Sequence, residues 1–209
     1  TAGVSPNISF LEKSGIACDR GVLINEYFET SVADVYAIGD CAQFREALPG
    51  RRNIEQVWYT GRMHGETAAI TLAGKRTAYK PGYWFNSAKF FDIEYQTYGL
   101  AGNTLKENES QFYWEHPNGA MCLKLVFDKT NFQFIGLNVF GIRMRHEVAE
   151  RWLKTGKTVQ YVMEHLNDAN FDPEFYKHHE PAIVAKFNKE LNTNLQLKKK
   201  SWKRILNLS

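Results

Sequence analysis

Thr30-Ser31-Val32-Ala33-Asp34-Val35-Tyr36-Ala37-Ile38-Gly39-Asp40 is the stretch best equipped for chemistry. Its apolar residues 35–38 predict a short buried strand. In open α/β sheets, ligands bind beyond the carboxyl ends of the strands. Gly39, without a side chain, lets a ligand approach the backbone. Asp40 adds a carboxylate that accepts hydrogen bonds from polyol hydroxyls. A helix starting directly after Asp40 would aim its N–H groups at an anionic or electron-rich ligand.

The other reactive residue types carry less. Cys18, Cys41 and Cys122 are odd in number, far apart and form no CxxC pair, so neither a disulfide framework nor a redox dithiol is predicted. Cys41 reads as a small packed thiol, and a reducing, cytoplasmic setting is expected. His165, His178, His179 and Glu180 lack metal-ligand spacing, because adjacent histidines on a helix point apart; no metal site is predicted. No residue marks itself as a catalytic acid or base. A net charge of +3 from 26 basic and 23 acidic residues is too small to indicate a nucleic-acid partner. No apolar run reaches the length of a membrane span. The chain opens without Met or a signal-peptide pattern, and is expected to be processed or part of something longer.

The elements that must position Asp40 divide into two groups. Residues 8–13 predict a short helix, 21–25 and 35–38 apolar strands, and 57–72 a helix whose Gly61, Gly65, Ala68 and Ala69 permit close packing, with Gly74 as its C-cap. Residues 75–82 read as a linker. Strands then follow at 93–99, 111–115, 121–127 and 132–139, the last two around the turn-forming Asp128-Lys129-Thr130-Asn131. Helices are predicted over 145–153, 159–166 and 181–191, with Pro181 suited to a first turn, ahead of a basic tail over 198–204. The expected fold is an incomplete α/β segment over 1–74, then an α+β domain with an antiparallel sheet over 75–209.

A resemblance makes the first of these an FAD-binding segment and the second an interface domain. Residues 30–40 resemble the second flavin-binding motif of the two-dinucleotide-binding-domain flavoproteins, the FAD-dependent pyridine-nucleotide (disulfide) oxidoreductases. There the Gly-Asp carboxylate binds the ribityl chain of FAD. Ala2-Gly3-Val4-Ser5-Pro6-Asn7 is similar to the stretch where that family's chain returns from its NAD domain. Ile54-Glu55-Gln56-Val57-Trp58-Tyr59-Thr60-Gly61-Arg62 is similar to the last FAD-domain helix, whose N-terminus faces the pyrimidine end of the isoalloxazine. The C-terminal half is similar to the interface domain of the ferredoxin, rubredoxin or nitrite reductase branch and of the apoptosis-inducing-factor branch. Those branches place Phe-Trp-Ser against the flavin. This chain has Phe85-Asn86-Ser87 with Trp84 just before, leaving Trp84 or Phe85 for that role.

The resemblance implies Gly39, Asp40, Glu55, Gln56, Val57, Trp58 and Phe85 as FAD-binding residues. It implies a parent enzyme passing electrons from NAD(P)H through FAD to an unidentified acceptor. No GxGxxG loop occurs in the 209 residues, so they lack a pyrophosphate cradle. The expectation is a C-terminal fragment that is inactive alone and binds FAD weakly or not at all. The alternative expectation is an interaction module that dimerises or docks an electron-transfer protein.

Overall fold

The computed structural model describes residues 3–171 and 177–198, so most of the basic tail lies outside the described residues. The chain divides into two compact units, Thr1–Gly82 and Tyr83–Ser209. Residues 75–82 therefore belong to the first unit rather than linking two. The reason is Tyr79, whose ring is buried in the first unit's core and whose N–H donates to the Glu26 carbonyl.

The first unit is built on two short parallel strands, β1 (Val22–Ile24) and β2 (Ala42–Phe44), and helix α1 (Trp58–Leu72). The helix turns Thr60, His64, Ala68 and Thr71 inward, a spacing of three and four that puts them on one face. His64 and Ala68 meet a small core of Ile24, Phe28, Ala42, Phe44 and Tyr79. The predicted helix at 8–13 contracts to a single 3-10 turn, Ser9–Leu11, with no buried residue to hold a longer one.

The largest correction concerns residues 35–38. They form no strand of the parallel sheet. They double back on residues 28–30, with one antiparallel bridge, Glu29↔Tyr36, and a bend at Asp34 of φ 62°. The Thr30 N–H donates to the Val35 carbonyl, and the Ala37 N–H donates to Phe28. β1 gives its parallel ladder to Ala42–Phe44 instead. Gly39 and Asp40 consequently precede a strand of the sheet, within a 3-10 turn, Gly39–Cys41, and no helix follows them directly.

The second unit is a five-stranded antiparallel sheet of order β3-β4-β7-β6-β5: β3 (Phe85–Phe90), β4 (Ile93–Gly99), β5 (Glu109–Glu115), β6 (Cys122–Asp128) and β7 (Phe134–Phe140). Alternation fixes its faces. The cross-strand row Tyr98, Leu137, Leu125 and Phe112 is buried. The adjacent row Thr97, Asn138, Lys124 and Tyr113 is half-buried or exposed. The apolar face is covered by α2 (His146–Lys154), α3 (Val159–Glu164), α4 (Leu166–Ala169) and α5 (Glu180–Leu191) through Trp152, Val162, Leu166 and Phe187. The β6–β7 turn is locked by Asp128, whose Oδ1 accepts the N–H groups of Thr130 at 2.7 Å and Asn131 at 3.1 Å.

Candidate functional site

Gly39 has a φ of 75°, a conformation that favours glycine. The left-handed backbone is what requires glycine here, since an added Cβ would meet nothing within 4 Å. α1 approaches this turn closely: a Cβ on Gly61 would stand 3.9 Å from the Gly39 Cα. The contact is pinned by a hydrogen bond, the Gly39 N–H donating to His64 Nδ1 at 3.1 Å. Asp40 is exposed, and its carboxylate has no hydrogen-bond partner among the described residues.

Glu55 is turned away from such a role. It is buried, and its carboxylate is taken up by Arg51, which donates through Nε at 2.7 Å and through a second, shorter bond from its terminal nitrogen. Thr60 Oγ1 adds a bond at 3.0 Å and the Arg52 N–H one at 3.3 Å. With four donors, Glu55 braces the approach to α1 from inside the protein. The helix begins after Val57, whose side chain offers no cap, so the first-turn N–H groups receive no bond from it. Gln56 is half-buried. Trp58 is 68% exposed, set edge-on to Tyr59 with the Arg62 guanidinium 5.8 Å from its ring.

Two buried groups behind the turn are perturbed. Burial among Phe28, Phe44 and Tyr79 drives the His64 pKa down to about 4, against a raising pull from Glu55 and alongside a lowering push from Arg51. Burial likewise pushes Tyr79 up to about 12.

The structure thus joins Gly39 and Asp40 to α1. Phe85 falls in the second unit, at the start of β3, with its ring 4.5 Å from that of His146. Trp84 lies beside it, its carbonyl accepting the Gly99 N–H. Sequence reasoning missed His64, Arg51 and Tyr79. His64 was detectable, because it lies four residues from both Thr60 and Ala68 on the inward face. The roles of Arg51 and Tyr79 come from contacts that spacing does not reveal.

Residues 1–65 match the family model described as pyridine nucleotide-disulphide oxidoreductase, a span that holds both the Gly39–Asp40 turn and the start of α1. This segment is similar to the pyridine nucleotide-disulphide oxidoreductases. Among its relatives, the NADH-rubredoxin oxidoreductase of Clostridium acetobutylicum is 39% identical over 77 residues, 37% of this chain and 19% of the relative. The NAD(P)H sulfur oxidoreductase (CoA-dependent) of Pyrococcus furiosus is 26% identical over 199 residues, covering 87% of this chain and 44% of the relative. An NAD-dependent persulfide reductase from A. fulgidus shares the fold, with a TM-score of 0.67 and 21% identity over 91% of this chain and 38% of that one. The chain spans less than half the length of each of these proteins. Its fold is an α/β segment followed by an α+β unit with an antiparallel sheet. No helix among the described residues is long and apolar enough to cross a membrane.

Proposed function

We propose that these residues supply the ribityl and isoalloxazine side of the FAD site in an oxidoreductase that passes electrons from NAD(P)H through FAD to an acceptor. The observation that carries this reading is the docking of α1 against the Gly39–Asp40 turn, inside the segment that matches the family. The exposed Asp40 carboxylate, without a partner among the described residues, is available to accept hydrogen bonds from polyol hydroxyls. The N–H groups of the first turn of α1 give positive potential suited to the N1–C2=O end of reduced flavin. Asp40 then binds the ribityl hydroxyls, and the backbone around Gln56, Val57 and Trp58 faces the pyrimidine edge. Glu55 acts through Arg51 and Thr60 by holding the helix start. The flavin supplies the hydride and electron chemistry. Lacking a glycine-rich pyrophosphate loop, the 209 residues alone bind FAD weakly, and catalysis by them alone is not expected.

The test uses the product of the complete reading frame. It should purify yellow and oxidise NAD(P)H in the presence of an artificial electron acceptor. Asp40→Ala should weaken FAD binding about tenfold, the loss of hydrogen bonds to a charged acceptor. A colourless product without NAD(P)H oxidation overturns the reading.

A specific observation also favours an association role for the second unit. At the β3–β4 hairpin tip, Phe90 at the end of the edge strand β3, Phe91 in the turn and Ile93 at the start of β4 are 62%, 96% and 60% exposed. Exposed apolar edges invite pairing, and the occupant assigned here is a second copy of the chain. Light scattering should report a dimer for the wild type and a monomer for Phe91→Gly. A monomeric wild type rejects this role.

A further inference from the structure

The inward face of α1 carries one imidazole, and its surroundings determine its state. His64 is 2% exposed, with the rings of Tyr79, Phe28 and Phe44 at 4.6, 4.9 and 5.7 Å. Because Nδ1 accepts the Gly39 N–H, that nitrogen carries no proton, and the neutral ring must hold its proton on Nε2. Nε2 is buried without a hydrogen-bond partner among the described residues. The ring's one polar bond therefore goes to the backbone of the turn that presents Asp40. Asp40 directly follows Gly39 and has no side-chain partner of its own among the described residues, so the conformation of Gly39 decides where the Asp40 backbone stands. Glycine has the widest conformational freedom of any residue, and an unrestrained Gly39 would leave its left-handed state readily.

We propose that His64 is a positioning residue for the flavin site: by accepting the Gly39 N–H, it holds the turn in the one conformation that aims Asp40 at a ribityl chain. The role rests on the flavin reading given above. It makes the site dependent on a neutral imidazole, since protonation of Nδ1 turns the acceptor into a donor facing a donor. The titratable and charged groups around the ring are Arg51 and Glu55, from the segment before α1, and Tyr79, from the segment after it. Arg51 and Glu55 are paired with each other, leaving burial as the dominant influence that keeps the ring neutral.

Two measurements on the product of the complete reading frame test this. In the first, FAD dissociation constants are compared for wild type, His64→Asn, His64→Leu and Asp40→Ala. Asn places an acceptor oxygen near the position of Nδ1, so His64→Asn should stay within about threefold of wild type, while His64→Leu, which strands the Gly39 N–H, should bind about tenfold more weakly. In the second, amide exchange at Gly39 should be slow in wild type and His64→Asn and accelerated at least tenfold in His64→Leu. A nitrogen–nitrogen coupling across the Gly39–His64 hydrogen bond should be visible in the wild type without any substitution. Equal FAD affinity and equal Gly39 exchange in wild type and His64→Leu overturn the proposal, as does absence of that coupling. If Asp40→Ala leaves FAD affinity unchanged, the flavin reading fails, while exchange at Gly39 still decides whether His64 holds the turn.

Discussion

At the scale of single residues, the depressed pKa of His64 has a consequence for stability that needs no ligand. The unfolded chain takes up a proton on this ring near the ordinary value of 6.5, whereas the folded chain resists until about 4. Below 6.5 the unfolded state thus binds more protons than the folded one. The stability that depends on the neutral imidazole is complete above pH 6.5 and is lost as pH falls toward 4. At about 1.4 kcal/mol per pKa unit, the whole window is worth on the order of 3 kcal/mol. Denaturant unfolding of the first unit, followed from neutral pH down toward 4, should show this decline in the wild type. His64→Asn, which does not titrate there, should lack that share of it. A parallel decline in both would place its origin in other groups.

Among elements, the β3–β4 hairpin has an exposed apolar tip that is also strained. Phe91 sits at the tip with a φ of 53°, a left-handed conformation that costs a non-glycine residue about 1 kcal/mol. Its side chain recovers none of this by burial, being 96% exposed. Phe91→Gly should therefore raise the thermal midpoint of the second unit while abolishing any dimer that the tip supports. A lowered midpoint would mean that the ring makes a stabilising contact in solution. Helix α1 shows the opposite economy, with its small residues letting it press against the Gly39 turn while Thr60, His64 and Ala68 reach the core.

For the whole molecule, the governing fact is that the two cores share no residue among those described. One gathers Ile24, Phe28, Phe44 and Tyr79; the other is built on the five-stranded sheet and its helices. Each unit should unfold as its own cooperative transition. Leu125 is completely buried in the second core, and Leu125→Ala should lower that unit's stability by about 3 kcal/mol. Phe28→Ala, also at a completely buried position, should do the same in the first unit. Calorimetry should show each substitution moving one transition and leaving the other in place. A single transition moved by both would establish that the units fold together.

The sequence by itself determined the locally encoded parts. Four of the second unit's five strands, β4 to β7, follow from period-two alternation and the Asp128 turn, and its helices from apolar periodicity and Pro181. The Gly-Asp pair and its family were equally legible, because a glycine's left-handed backbone and a neighbouring carboxylate are properties of residue type. Tertiary structure decided what depends on partners distant in the chain. Residues 35–38 have strand composition, yet β1 pairs with 42–44 instead, and a strand's identity lies in its ladder rather than in its side chains. Glu55 reads as a ligand contact until Arg51 and Thr60 take its carboxylate into the interior. His64 reads as one more helical residue until the fold brings Gly39, 25 positions away, within hydrogen-bonding distance.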